Sequence, residues 1–334
     1  MNLLKIYPKG TSILLVGPYP PPLGGVSVHI KRVKHLLRNY GFCVDVFNTA
    51  QGQMFKGQNI IRLAVKILFD DFKIVHVHGY PYRLLKIMEF LKKIKKFRLY
   101  ITDHNTRLFE ERKYDAEKTS FYKRIIKSLD HLIVVGPNIL EEYKRYGVTL
   151  PDNTLTQPSF VPPDLNEEKD ILKSYPRELF EFIGKHNLII TANAFEIVFC
   201  DRIDLYGLDM CIELTSRLKR EFSNIGFLFT LANENKHVEY LDSMKKLIVK
   251  LGIKDNFYFL TGQKEIWPLF RKVNLMIRPT YSEGNSVSVA EALYFGCPVV
   301  ASNVGDRLDG TILFKSRNLD DLMRKVMPIL RESL

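Results

Sequence analysis

Cysteine is sparse and scattered in this 334-residue chain. Cys43, Cys200, Cys211 and Cys297 form no CxxC pair and no metal-ligand spacing. That argues against a disulfide framework and suits a reducing compartment. No run approaches ~18 apolar residues, so nothing reads as a membrane span. The opening stretch MNLLKIYPKGTSILLVG is apolar over too short a length for a signal peptide and lacks a cleavage site. These lacks point to a cytoplasmic protein. There is also no helix-turn-helix, RNA-binding aromatic signature or zinc spacing, so nucleic acid is not an expected partner.

What is present is ordinary for a soluble globular protein: 46% hydrophobic and 26% charged residues, in a length that fits two domains. The charge, formally +12, is unevenly placed. Residues 1–150 hold 26 Lys+Arg against 12 Asp+Glu, a net of +14, while the remainder nets −2. A one-sided excess predicts an anionic partner for the first half.

Short apolar runs alternate with helical patterns. TSILLVG (11–17), CVDVFN (43–48), KIVHVHG (73–79), RLYITD (98–103) and HLIVVG (131–136) read as buried strands, with helical spacing over 27–41 after the first. The rhythm breaks at 151–185, a stretch opening with many Pro, Asp and Asn, and restarts with HNLIITAN (186–193), IGFLFTLAN (225–233), NFYFL (256–260), NLMIRP (274–279) and CPVVAS (297–302). Helices are predicted at 208–222, 236–251, 264–272 and 286–295. This α/β alternation predicts two Rossmann-like, doubly wound parallel sheets facing across a cleft, with ligands beyond the carboxyl ends of the strands. The divisions are a first domain over 1–165, a linker over 166–185, a second domain over 186–316 and a C-terminal helix over 317–334. Whether that helix crosses back to the first domain stays open.

Three strand-end loops carry candidate chemistry. Gly24-Gly25 opens a helix, where backbone N–H groups and the helix dipole attract an anion. His104 follows the fourth strand. YSEGNSVSVAEA (281–292) places Glu283 just before a helix that begins near Asn285 or Ser286, and Glu291 about one and a half turns inside it. The N–H groups at that helix start offer a phosphate seat, and a carboxylate further in can accept from vicinal hydroxyls, as on a ribose.

The stretch EGNSVSVAEALYFGCPVVASNVG (283–305) resembles the nucleotide-sugar signature of glycosyltransferase family 4, whose members have the two-domain GT-B fold. The matching positions are Glu283, Gly284, Glu291, Ala292, Gly296, Pro298, Val299, Val300, Ala301, Ser302 and Gly305, and the likeness extends to Gly24-Gly25 with His29, to VHVHG (75–79) and to the His104 loop. The resemblance implies a retaining hexosyl transfer without a bound metal or other cofactor. It implies Glu283 on the donor sugar and Glu291 on the ribose. Gly24, Gly25, Gly284, Asn285, Ser286 and Val287 would hold the diphosphate, and His104 would face the transferred sugar.

The pattern also departs from the family. Members follow the first strand of the second domain with Gly-Arg-Leu and then Lys-Gly, cations that neutralise the leaving diphosphate. Here Ala194 stands near the Arg place, and Tyr206 stands in the Lys place before Gly207, after a longer intervening segment. Arg278 and Arg202 are the candidate replacements, Arg278 because a buried strand ending in Arg needs an anionic partner. The expected donor is a UDP-sugar first and GDP-mannose second. The expected acceptor is a glycan or polyprenyl-linked glycan of bacterial surface polysaccharide synthesis. A GT-B scaffold that binds nucleotide sugar or a partner without transfer, and a nucleotide-sugar epimerase, are the alternatives. The helical pattern at 82–100 has an apolar stripe through Leu84, Leu85, Ile87, Met88, Leu91 and Ile94 among lysines. It predicts peripheral attachment to the anionic inner face of the plasma membrane.

Overall fold

The computed structural model describes residues 2–50, 57–104, 108–110, 114–283, 286–305 and 307–334. The chain divides into two compact units, Met1–Val161 and Pro162–Leu334. The first holds a parallel sheet of β1 (Ser12–Gly17), β2 (Cys43–Asn48), β3 (Ile74–His78), β4 (Arg98–Asp103), β5 (His131–Val134) and β6 (Thr154–Thr156), in the order β2-β1-β3-β4-β5-β6. Helices α1 (Gly25–Asn39), α2 (Gly57–Phe69), α3 (Tyr82–Ile94), α4 (Ala116–Lys127) and α5 (Pro137–Arg145) connect these strands. β3 and β4 are buried almost throughout, as near-continuous apolar strands covered on both faces must be.

The second unit opens with α6 (Glu168–Lys173) and α7 (Arg177–Lys185). Its sheet comprises β7 (Leu188–Glu196), β10 (Ile225–Asn233), β11 (Phe257–Thr261), β12 (Leu275–Arg278), β13 (Val299–Ser302) and β14 (Thr311–Phe314). Their order is β11-β10-β7-β12-β13-β14, and a separate antiparallel hairpin pairs β8 (Phe199–Cys200) with β9 (Ile203–Asp204). Helices α8 (Leu208–Glu221), α9 (Val238–Lys250), α10 (Val287–Tyr294) and α11 (Leu319–Glu332) complete the unit. Counted within the unit, the strand order is that of a dinucleotide-binding sheet, with its reversal between β7 and β12.

Three expectations need correction, and one left open is described. The segment 166–185 is not an extended linker: Tyr175, Leu179 and Phe182 pack on Ile189, Leu228 and Leu260 of the second sheet. The Pro- and Asp-rich composition upstream hid that helical spacing, and it also hid β6, which pairs with β5. Residues 264–272 give only a short 3-10 turn, Trp267–Arg271, with Pro268 at its start. The C-terminal helix turns Leu322, Val326 and Leu330 into the second unit's own core, each burial being worth roughly 1.5–3 kcal/mol. Finally, Leu84, Leu85, Met88 and Leu91 of α3 lie inside the first unit's core and are not available to a membrane.

Gly207 locks the second unit's ligand-side loops together. It caps α8 at φ +69°, and a Cβ built there would stand 2.5 Å from the Pro279 carbonyl oxygen. Just beyond Pro279, Tyr281 N–H donates to the Leu205 carbonyl at 2.9 Å. Gly207→Ala is expected to lose roughly 2 kcal/mol or more, from left-handed strain plus overpacking against backbone. Denaturant unfolding checks this; an unchanged midpoint would contradict it.

Candidate functional site

The second unit's site grows from the ends of β7 and β12. Register puts Met276 beside Thr191, which carries Arg278 at the next turn of the ladder toward Asn193. Arg278 Nη1 donates to the Asn193 carbonyl at 2.6 Å and to its Oδ1 at 3.2 Å. Its guanidinium also lies 4.9 Å from the centre of the Tyr206 ring, within cation–π range. One arginine from β12 thus touches the neighbour of Ala194 and the residue in the Lys place. The cation missing from those two positions is supplied sideways.

Glu283 answers that charge. Its carboxylate accepts from Arg278 Nε at 2.9 and 3.1 Å, and also from Arg278 Nη2. On the other side Arg307 Nη1 donates to Glu283 Oε2 at 2.5 Å, and Thr280 Oγ1 donates to the same oxygen at 3.1 Å. Arg307 is fixed in turn by the Ser302 carbonyl at 2.9 Å, Thr280 Oγ1 at 2.9 Å and Ser302 Oγ at 3.0 Å. All three side chains are at most 10% exposed. Burial alone would push the Glu283 carboxyl up, but the Arg278 charge and hydrogen bonds, followed by those of Arg307, hold it below the ordinary carboxylate value. Burial likewise opposes charge on Arg278, and Glu283 overcomes it. Two buried guanidinium groups share one carboxylate, leaving one positive charge in excess among the described residues. An uncompensated buried charge calls for an anionic partner.

Beside this group α10 begins. Ser286 is its N-cap, with its Oγ accepting from Val289 N–H, and Val287 is the first helical residue. The first-turn N–H groups of such a helix lack intrahelical partners and favour an anion. Glu291 is buried within α10. Gly284 and Asn285 lie outside the described residues. Arg202 is exposed at the two-residue tip of the β8–β9 hairpin, at φ +64°, and the structure does not join it to the Glu283 group.

In the first unit the predicted His104 belongs to a cluster at the ends of β1, β3 and β4. His104 Nε2 is 3.2 Å from His78 Nδ1, and the His29 ring centre is 4.9 Å from that of His104. Gly17 leaves room for this, since a Cβ there would meet Ile30 and His78. His29 Nδ1 lies 2.6 Å from the Ser159 carbonyl, so that nitrogen carries the proton and Nε2 keeps its lone pair. Burial pushes His29 down to about 4, and it holds His78 and His104 well below the usual imidazole value, so all three are neutral. A neutral imidazole offers one donor and one acceptor, which matches a sugar hydroxyl. The buried Nε2 of His78 has no partner among the described residues, as expected where a polar ligand group completes the set. Ligand nitrogens of His29, His78 and His104 lie within 4.8 Å of one another, so these are the described residues able to hold a metal ion. Gly24 differs from expectation, because its N–H is taken by Ser27 Oγ at 2.8 Å. Gly25 has open space above it.

Residues 186–329 match the family model described as glycosyl transferases group 1. Over these residues, in the second unit, the chain is similar to the group 1 glycosyltransferases. Over 206 residues it is 22% identical to the lipopolysaccharide glucosyltransferase WaaG of Escherichia coli, covering 59% of this chain and 52% of that protein. Over 129 residues it is 29% identical to protein CapJ of Staphylococcus aureus, covering 37% and 32%. The chain therefore spans about half the length of these relatives, or less. Among solved structures, a glycosyltransferase from Rickettsia africae matches with a TM-score of 0.70 at 15% identity, over 96% of this chain and 89% of that one. HepE of Anabaena, in complex with UDP-glucose, matches with a TM-score of 0.66 at 13% identity, over 96% and 90%. The two sheets are thus those of the GT-B fold.

Arg307 was not anticipated from the sequence. The available signal was a basic residue two positions after the motif's last glycine, on the ligand side of β13. Folding depresses the Glu283 carboxyl, so its stabilising effect is present above the unfolded value, about 4.3, and is lost as pH falls through the lower folded value. Glu283→Gln is expected to lose about 3–5 kcal/mol at neutral pH, with the gap to wild type narrowing in acid. Denaturant unfolding at a series of pH values checks this; a pH-independent gap would contradict it.

Proposed function

We propose that the protein is a retaining glycosyltransferase that moves a hexose from a nucleoside-diphosphate donor to a glycan or polyprenyl-linked glycan. UDP-sugars are the first candidates for the donor, and bacterial surface polysaccharide synthesis is the setting. The observation that carries this reading is the excess positive charge of Arg278 and Arg307 around Glu283, beside the N-terminus of α10. In the transfer, that charge and the helix N–H groups offset the negative charge gathering on the departing diphosphate. Glu291 accepts from the ribose hydroxyls. His104, with His78 behind it, hydrogen-bonds the transferred sugar. Glu283 differs from the free carboxylate expected of it: both its oxygens are engaged, so its first task is to hold the two arginines.

The relatives support the donor and the setting. One carries lipopolysaccharide glucosyltransferase in its name, and one structural neighbour holds UDP-glucose. The enzyme would work in the cytoplasm, peripherally on the inner face of the plasma membrane, where a lipid-linked acceptor is held. A scaffold that binds nucleotide sugar without transfer is the second reading, favoured by the absence of the family's usual Arg and Lys.

Thermal melts with UDP-glucose, UDP-N-acetylglucosamine and GDP-mannose test the donor. At about 100 times its Kd the correct donor adds about 2.7 kcal/mol, and Glu291→Gln is expected to weaken binding by about tenfold. If no nucleotide sugar raises the melting temperature, the assignment is wrong. Binding without release of nucleoside diphosphate in the presence of a membrane-extracted acceptor would favour the scaffold.

A further inference from the structure

The first unit's histidine cluster is built from three separate elements. His29 comes from α1, His78 ends β3 and His104 follows β4, and each delivers one ring to the same strand ends. The ring centres lie between 4.9 and 5.5 Å apart. His76, two residues before His78, shows what a purely structural histidine looks like here. Its two nitrogens lie 2.6 Å from Tyr7 Oη and 2.7 Å from Thr102 Oγ1, so neither is left for a ligand. In the cluster the count differs. His29 Nδ1 gives its proton to the Ser159 carbonyl and Nε2 keeps a lone pair, while His78 Nε2 has no partner among the described residues.

Three neutral imidazoles with ligand nitrogens within 4.8 Å of one another match the protein half of an open tetrahedral zinc site. At a Zn–N distance of about 2.0–2.1 Å, two tetrahedral ligands stand about 3.3 Å apart. His78 Nδ1 and His104 Nε2 are 3.2 Å apart, so this pair already has ligand spacing, and ring rotation brings in the third. The Ser159 carbonyl on His29 Nδ1 is the kind of outer partner that a metal-bound histidine has, and it fixes Nε2 as the ligand atom. Arg32, on the same helix, donates to the Val161 carbonyl at 3.2 Å, which ties the segment carrying that partner to α1 a second time. Three nitrogens without a carboxylate suit Zn2+ and its neighbours in the first transition row, not Mg2+ or Ca2+.

We propose that His29, His78 and His104 form a binding site for Zn2+, with a fourth position open to water. The ion takes the lone pairs that the hydroxyls of a transferred sugar need, so metal and sugar exclude one another and zinc inhibits transfer reversibly. That consequence rests on the functional reading above; the site itself does not.

Titration of Co2+ into the full chain, in the absence of any nucleotide sugar, tests the site. One equivalent is expected to give the intense visible absorption of a four-coordinate ion. Zn2+ should abolish that absorption at one equivalent, and a large excess of Mg2+ should not. His104→Gln should weaken Co2+ binding about a hundredfold or more, since outer-partner changes alone cost about 10–100-fold. His237→Asn, at an exposed histidine outside the cluster, should leave it unchanged. Melting temperatures without metal check that both variants are folded, and the wild-type spectrum decides the matter if His104→Gln is not. Three results overturn the proposal: no four-coordinate absorption at one equivalent, absorption that folded His104→Gln retains at the same affinity, or displacement by Mg2+ as readily as by Zn2+. Failure of every nucleotide sugar to bind would leave these spectra as they are, which separates failure of the metal site from failure of the donor reading.

Discussion

The carboxylate of Glu283, gripped from both sides by Arg278 and Arg307, is the interaction on which the second unit's ligand side depends. It joins the end of β12, the loop after it and the loop after β13 through charge-assisted hydrogen bonds, which are shorter and stronger than neutral ones. Its stoichiometry matters more than its strength. One acid would balance one guanidinium; here it serves two, and the surplus charge sits next to a helix start. Burial gives that surplus a long reach, because water screens it poorly.

Both units place their candidate chemistry at strand ends near the point where the sheet order reverses. In the second sheet the reversal lies between β7 and β12, where Asn193 and Arg278 meet. In the first sheet β1 is flanked by β2 and β3, and His29 and His78 follow β1 and end β3 respectively. The chemistry of the two places is complementary. One is cationic and suited to a diphosphate; the other is a set of neutral imidazoles suited to hydroxyl groups. The neutrality of the histidines follows from burial, which would make a second positive centre costly.

The sheets were legible in the sequence because buried parallel strands read as continuous apolar runs, most of them ending in Gly, Pro, Asp or Asn. TSILLVG and IGFLFTLAN needed no tertiary information. The helices at 168–185 were not legible, since the Pro and Asp residues just before them masked a helical apolar spacing that only the second sheet's surface explains. Of the α3 stripe, Leu84, Leu85, Met88 and Leu91 are covered by core, while Ile94 is exposed. Periodicity shows which residues are apolar together, not whether core or lipid covers them. At the site, motif spacing singled out Glu283 and Glu291, and the lone strand-end arginine singled out Arg278. It could not foretell that Glu283 would have both oxygens engaged, because Arg307 arrives from 24 residues further along the chain. Charge and position alone point to Arg202, and the hairpin turn exposes it.

The most direct measurement is a calorimetric comparison of UDP and UMP binding to the wild-type chain and to Arg307→Met. The two ligands differ by the outer phosphate, so their affinity ratio reports the surplus charge rather than recognition of base or ribose. Wild type should prefer UDP by about tenfold or more, and the preference should shrink toward parity when Glu283 is left with Arg278 alone. An undiminished preference in the variant would mean that the shared carboxylate does not create the anion site.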